Sequence, residues 1–520
     1  MAQHQVLVAG AGPTGLALAL FLARQGVSVR IVDKHPGPGS ESRAIVVHAR
    51  TLEFYRQIGI ADDVVGHGVK VERLRLWEEG RNVADIPLDD LGQDLSAYPF
   101  ILSFTQDDHE RLLIAKLSEA GIEVEWNTTL AGFEQDAGGV RATLTADGRS
   151  EVCAIEYLCG CDGAHSIVRE GLGFGFAGGT YDQIFFVADV NASGPPTDDG
   201  LNMCLNVKDF CIVLPIRATG RQRLIGIIPE DLKGREGIVF EDLRPYLERL
   251  FGIEVSSVNW FSVYRVHHRV AESFRLGRVA IAGDAGHIHS PAGGQGMNTG
   301  IGDAVNLAWK LAEILKGRAP PSLLDSYEPE RITFARALVA TTDRLFQAMV
   351  NRDFRGRIFR TILVPSLAPK AFGFKAVRRA FFRGASQIRI SYRESPLSSG
   401  LAGDVQAGDR LPYVRDEAGD NFAPLASLAW QVHVYGDIDP ALETFAAARG
   451  LALHVFPWQA AMEKAGLRMG AIYLVRPDGH VAFASPMQDI EALGIYIAAK
   501  GLTFEAAPAP AAAPAAVQGA

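Results

Sequence analysis

Residues Val6 to Asp33 constrain the fold more than any other part of this 520-residue chain. Val6-Leu7-Val8-Ala9 is a short apolar run of the kind that buried parallel strands show. Gly10-Ala11-Gly12-Pro13-Thr14-Gly15 follows and fits G-x-G-x-x-G. Leu16 to Arg24 carries a helical pattern, with Leu16, Leu20 and Ala23 on one face. Gly26 supplies a stop, and Val29 to Val32 reads as the next strand. That strand ends at Asp33, 18 residues after Gly15, where a carboxylate reaches a ribose hydroxyl. The glycine motif alone is weak evidence. Strand, glycines, helix, second strand and the terminal acid, with Lys34 beside it, make a ligand-free turn the poorer reading.

Two further segments repeat the strand-then-turn design. Val279 to Ala282 is an apolar strand that ends in Gly283-Asp284. A loop with Pro291, Gly293, Gly294 and Gly296 follows, and a helix is predicted to start near Met297. Glycines let backbone come close to a ring or a phosphate. The N–H groups of a first helical turn present positive charge there. Ile155 to Cys159 is the third apolar strand, followed by Gly160-Cys161-Asp162-Gly163 and by Ser166 and Arg169 on a new helix. This suits a tight turn beside a dinucleotide. Taken alone, it also reads as an ordinary Asp-Gly turn with a capping serine.

Composition narrows the class. The net charge of −9 argues against a nucleic-acid partner and for a soluble protein. Hydrophobic content of 48% supports large cores, and the length predicts two or three domains. The first strand begins almost at once, with no signal peptide ahead of it. No apolar stretch approaches a membrane span. The five cysteines have no zinc-like spacing, and their odd, sparse count fits reduced thiols in the cytoplasm. Cys159 and Cys161 are expected to pack the core. His287 and His289 lie near Asp284, but no third ligand has suitable spacing, so no metal is assigned.

The three segments, in this order and at these separations, resemble the class A flavoprotein aromatic hydroxylases. His289 to Asn298 is most similar to the branch holding phenol, 3-(3-hydroxyphenyl)propionate and polyketide hydroxylases. The likeness runs from residue 1 to about residue 500, and the Gly-Asp segment is its most specific part. It implies FAD as cofactor, with NAD(P)H as a transient co-substrate and dioxygen as oxidant. Gly10, Gly12 and Gly15, with Pro13 and Thr14 between them, then lie under the FAD pyrophosphate. Asp33 meets the adenosine ribose, one methylene shorter than the glutamate common in the family. Ser42-Arg43-Ala44 resembles the arginine segment near the pyrophosphate. Gln106 and Arg111 resemble the flavin-contacting pair, and Asp162 the acid tied to both nucleotides. Asp284 resembles the acid at the ribityl chain. Pro291 and Gly293, Gly294, Gly296, Met297 and Asn298 resemble the loop along the isoalloxazine edge.

The implied activity is hydroxylation of a phenolic or polycyclic aromatic substrate through a flavin C4a-hydroperoxide. That chemistry needs a dry cavity and no side-chain nucleophile. Oxygenation of a non-phenolic polyketide is the same-scaffold alternative, and a flavin-binding protein without turnover is the alternative from another class. A disulfide reductase is excluded, since a second strand-linked G-x-G-x-x-G and a redox cysteine pair are both missing. NAD(P)H is then expected to dock near Arg43 and Asp162.

The expected fold is α/β. A Rossmann-like FAD domain spans 1–180 and 270–350, with a mixed β-sheet substrate domain inserted at 72–104 and 181–268. Phe185, Val187, Met203, Leu205, Leu214 and Pro291 are candidate substrate contacts; the plainer reading is that the sheet residues pack on a helix. His267, His268 and Tyr264 are candidate phenol partners, with Tyr98 and Tyr181 behind them. Residues 352 to 393 hold eleven Arg or Lys against one acid, Asp353. The stretch reads as a helical connector (351–399) packed by its aromatics, or as a basic amphipathic surface. Residues 400–504 resemble the family's thioredoxin-like domain without redox cysteines, suited to packing or homodimer contacts. The tail 505–520 is expected to be disordered.

Overall fold

Val279–Ile281, Tyr157–Gly160, Val6–Ala9 and Val29–Val32 lie side by side in one sheet, all parallel. In register, Ile281 stands beside Gly160, Gly160 beside Ala9, and Ala9 beside Val32. Gly283, Cys161, Gly10 and Asp33 therefore leave the sheet along one edge. The strands are almost wholly buried, which is why they read as continuous apolar runs rather than alternating ones. The computed structural model describes residues 4–39, 44–88, 91–198, 200–205, 210–216, 220–290, 293–350, 364–417 and 419–504.

Glycine sets how closely the turns approach. Gly10 has φ 103°, and a Cβ there would run into the carbonyl oxygen of Cys161. Helix Pro13–Arg24 buries Gly15 to Leu22 and packs on helix Gly296–Leu315. Thr14 is the peg between them. A Cβ on Gly283 would lie 2.6 Å from its hydroxyl, and one on Gly300 closer still. The later helix begins at Gly296, one residue before the expected start. The strand read as 155–159 is two strands, Arg149–Ile155 and Tyr157–Gly160. The first pairs away from the parallel sheet, so the chain changes sheets at Glu156.

A second sheet has eight strands. Its spine is the antiparallel pair Phe176–Ser193 and Glu254–Ala271. The first of these begins five residues before the expected 181. Arg73–Glu78 and Arg81–Pro87 complete one edge. Ile101–Ser103, expected with this sheet, instead joins Val46–Val47 and Val69–Val71 in a three-stranded one. Phe186, Ala188, Val190, Cys204, Cys211 and Val213 pack on helix Phe240–Phe251. Phe185, Val187, Met203 and Leu214 alternate with them and so occupy the opposite face. Leu205 follows the same register, but its side chain lies outside the described residues.

Of the expected connector, Val364–Phe372 and Lys375–Ala385 are helical, with Pro369 inside the first, and 351–363 lie outside the described residues. Phe374 and Phe381 are exposed, while Phe382 is buried beside Gly92.

Residues 391 onward, with 316–320, form a second compact unit. Gln431–Tyr435 and Ala452–Phe456 pair in parallel across helix Pro440–Arg449. Ile472–Val475 and Val481–Ser485 form an antiparallel hairpin. Arg476 and Asp478, at its turn, make a buried ion pair at 2.6 Å. The final helix starts at Ile490, where Asp489 accepts the Ala492 N–H, not at 487. A short helix, Ala460–Lys464, was not legible as one. The tail 505–520 lies outside the described residues.

Replacing Gly10 with alanine forces a side chain against the Cys161 carbonyl at a left-handed backbone. We expect a loss of about 2–4 kcal/mol in urea unfolding. A change within about 0.5 kcal/mol would contradict the packing described.

Candidate active site

The turn after the first strand is pinned by the acid at the end of the second. Asp33 Oδ2 accepts the Ala11 N–H at 2.7 Å, and Oδ1 accepts the His35 N–H at 2.8 Å. Lys34 is exposed beside it. Gly12 precedes helix Pro13–Arg24 without a side-chain cap, so the first-turn N–H groups face outward from the sheet edge.

Helix Gln106–Glu119 holds both ends of the segment that contains Arg43. The Gln106 N–H donates to the Ala44 carbonyl at 3.0 Å, and the Gly39 N–H donates to Glu110 Oε2 at 3.1 Å. Gln106 Nε2 donates to Glu110 Oε1 at 2.9 Å. Burial raises the Glu110 pKa. Gln106 thus braces the loop with its side chain. Arg111 is exposed and bonds Asp107 and Asp108 of its own helix, because i,i+3 and i,i+4 spacing brings them together. Arg43 itself lies outside the described residues.

The Asp-Gly turn is stitched to the Gly-Asp turn. Ser166 caps helix Ile167–Gly171 by accepting the Arg169 N–H at 2.9 Å. The Arg169 guanidinium donates to the Ala285 carbonyl at 3.1 Å and to the Ala164 carbonyl at 3.0 Å. Asp162 Oδ2 accepts the Val168 N–H at 3.1 Å. Its Oδ1 is buried with no partner among the described residues, and burial raises its pKa. His165, His268 and Arg269 stand close enough to His267 that their charge, after burial, lowers its pKa. His267 Nδ1 is 2.7 Å from the Thr180 hydroxyl. The His268 ring packs at a tilt against Tyr181, with centroids 4.7 Å apart, and Tyr181 donates to Asp343 at 2.8 Å. Tyr264 stacks on Phe185 at 5.9 Å, and Tyr98 packs on Phe100.

The third turn rests on residues that the motifs did not single out. Asp303 is fully buried in helix Gly296–Leu315. Its Oδ2 accepts the Gly283 N–H at 3.0 Å and meets His287 Nε2 at 2.7 Å. Its Oδ1 accepts Arg331 Nε at 2.6 Å. Burial opposes its charge, but Arg331 and His287 prevail and lower its pKa. A sequence signal was present: Asp303 is the only acid between Asp284 and Glu313. Asp284 is exposed, in the single helical turn Gly283–Ala285.

Asn298 holds the glycine bend with its side chain. Its Nδ2 donates to the Val46 and Gly294 carbonyls at 2.8 and 2.9 Å. Its Oδ1 accepts the His48 N–H and the Thr51 hydroxyl at 2.9 and 2.8 Å. With all four side-chain positions filled, the side chain is a clamp, and any contact of Asn298 with a ligand falls to its backbone. Gly293 and Gly294, with φ 80° and 61°, form the bend it holds. Gly296 and Met297 open the helix. Pro291 lies outside the described residues.

The sheet face that carries Phe185, Val187 and Leu214 also holds an ion pair. Arg223 meets Asp189 at 2.6 Å and donates to the Ala44 carbonyl at 3.2 Å. Ser103 donates to the Pro215 carbonyl. These bonds set the Phe185, Val187 and Leu214 face toward the loop near Ala44.

The arrangement fits FAD. Glycine turns admit a pyrophosphate, uncapped N–H groups of helix Pro13–Arg24 face it, and Asp162 Oδ1 and both ring nitrogens of His48 are buried without a well-formed hydrogen bond among the described residues. The family described as FAD binding domain matches residues 3–342. The chain belongs to that family. A 6-methylpretetramide 4-monooxygenase of Streptomyces rimosus is 37% identical over 421 residues, covering 78% of this chain and 72% of the relative. A flavin-dependent monooxygenase of Mycobacteroides abscessus is 32% identical over 518 residues, 92% of this chain and 96% of the relative. The crystal structure of aklavinone-11 hydroxylase with FAD and aklavinone superposes with a TM-score of 0.77 at 25% identity, over 96% of this chain and 99% of that one. Anhydrotetracycline hydroxylase from Streptomyces rimosus gives 0.74 at 28%, over 97% and 100%. The chain is an FAD-dependent aromatic monooxygenase that uses NAD(P)H.

Two outcomes follow from the buried charges. Asp303→Asn leaves Arg331 and His287 without their anion and costs about 3–5 kcal/mol in denaturant unfolding near neutral pH. An unaffected midpoint would contradict the network. His48 and His109 are buried, which lowers their pKa values from 6.5 to about 4 and about 3. Unfolded chains bind protons at these sites below 6.5, and the native chain does not until about 4. Stability therefore falls as the pH drops through that window, by up to about 1.4 kcal/mol per pH unit per histidine. Urea midpoints that stay level from pH 6.5 to 4.5 would contradict this.

Proposed function

We propose that this monooxygenase hydroxylates a phenolic ring of a fused, polycyclic aromatic substrate, with dioxygen as the oxygen source. The single observation that carries the substrate class is the apolar, aromatic-bearing face of the eight-stranded sheet that carries Phe185, Val187 and Tyr264 and is tied to the loop near Ala44 through Arg223. A flat fused-ring molecule fits such a face, and polar anchors there are few. The relatives named for 6-methylpretetramide and aklavinone act on molecules of that kind.

In this reading, Gly10, Gly12 and Gly15 seat the FAD pyrophosphate, with Pro13 and Thr14 fixing the turn. Asp33 serves the ribose and Asp284 the ribityl chain. Asp162 Oδ1 takes a hydroxyl or amide donor of a bound nucleotide. The first-turn N–H groups at Gly296–Met297 stabilise negative charge at the ring edge when FAD is reduced. FAD, when bound, supplies the oxygen-activating chemistry; the protein orients the two rings and keeps water out. Arg269 supplies positive charge, and His165 and His267 supply ring hydrogen-bonding groups, for the phosphates of NAD(P)H. His268 and Tyr181, braced by Asp343, are positioned to orient a substrate hydroxyl. Phe185, Val187, Met203 and Leu214 form the substrate wall. The strand order Val481–Ser485, Ile472–Val475, Gln431–Tyr435, Ala452–Phe456 supports a thioredoxin-like unit. It holds no cysteine, so its work is structural.

The test is NAD(P)H consumption and oxygen uptake with hydroxylated anthraquinones and tetracyclic phenols beside single-ring phenols. Fused-ring phenols should accelerate flavin reduction several-fold and give products heavier by one oxygen atom. Stimulation by single-ring phenols alone would overturn the substrate class. Turnover of fused rings without a free phenol would favour the non-phenolic polyketide alternative.

A further inference from the structure

His48 stands just before helix Ala49–Gln57 but makes no capping bond. Its residue is 3% exposed. Neither ring nitrogen completes a hydrogen bond with the described residues. A neutral imidazole carries one N–H donor and one acceptor, and leaving both buried and unpaired costs free energy. The contrast is His109, whose Nε2 meets the Tyr55 hydroxyl inside the core.

The position of the ring is well fixed. The His48 N–H donates to Asn298 Oδ1 at 2.9 Å. The ring lies against the backbone of Gly293 and Gly294, whose loose hydrogen-bonding contacts partly offset its burial but do not reach full hydrogen-bond geometry. A Cβ on Gly294 would meet Val46 at 2.9 Å, so the strand before His48 rests directly on the glycine bend. Burial holds the imidazole near a pKa of about 4. It is therefore uncharged at neutral pH and a weak base. It suits a fixed dipole better than a proton acceptor for a phenol.

We propose that His48 donates a ring N–H hydrogen bond to the isoalloxazine system of bound FAD and thereby raises its reduction potential. The inference rests on the placement of the Gly293–Gly296 loop at the ring edge. A donor bonds the electron-rich reduced ring more strongly than the oxidised one. His48 is thus a cofactor-contacting residue outside the three glycine motifs.

The test compares wild type, His48→Leu and His48→Gln as FAD holoproteins, by apoprotein titration with FAD and by two-electron midpoint potential. His48→Leu should bind oxidised FAD about tenfold more weakly. Its potential should fall by about 30 mV, a further tenfold loss at the reduced ring. His48→Gln keeps an N–H donor and should stay near wild type on both readings. Wild-type affinity and potential in His48→Leu would overturn the proposal, as would a change confined to substrate KM. Should His48→Leu fail to fold, the His48 ring nitrogen signal in 15N-histidine-labelled protein decides. Identified by its loss in His48→Gln, it moves when FAD is added to apoprotein, or the proposal fails. A wild-type protein that takes up no FAD would instead sink the proposed function.

Discussion

The register of four neighbouring parallel strands is the constraint on which the site depends. Strands that run the same way end at the same edge. Ile281, Gly160 and Ala9 stand level with Val32, so turns more than a hundred residues apart in sequence emerge together. Polar groups that would be wasted on a surface loop are concentrated at one line. This is the ligand crevice expected at the carboxyl ends of a parallel sheet.

Closeness alone does not hold the turns still. Three buried polar side chains do, each bridging segments that the chain keeps apart. Arg169 joins the Asp-Gly turn to Ala285. Asp303 joins the Gly283 amide to His287 and, through Arg331, to helix Tyr327–Val350. Asn298 joins the glycine bend to Val46 and Thr51. Each sits where water is excluded, so breaking one bond leaves a partner uncompensated. The turns are thereby preorganised, and binding need not order them.

Much of this was legible in the sequence, and the failures are instructive. Glycine turns and apolar strands carry local signals, so Val6–Ala9, Val29–Val32, Pro440–Arg449 and Ala452–Phe456 match their sequence reading, while helix Pro13–Arg24 starts inside the glycine motif, ahead of the expected Leu16. Partner choice in a sheet is not local. Ile101–Ser103 looks like any short strand, and nothing in it tells which sheet it will join. Side-chain roles at the glycine loop were harder still. Asn298 belongs to a cofactor-loop motif, and the motif does not show that its side chain spends all four hydrogen-bonding positions on holding the loop. His48 looks like nothing in sequence, because its interest lies in burial without partners. The short helix Ala460–Lys464 is too brief for a periodic pattern to show.

The account stands or falls on whether one nucleotide engages all three turns together. Hydrogen exchange of the backbone amides, followed in apoprotein with and without FAD, reads this directly. Added FAD should slow exchange at Gly10–Gly15, Asp162–Val168 and Gly293–Asn298 in parallel, at a stoichiometry of one per chain. Protection at one turn with the other two unchanged would contradict it.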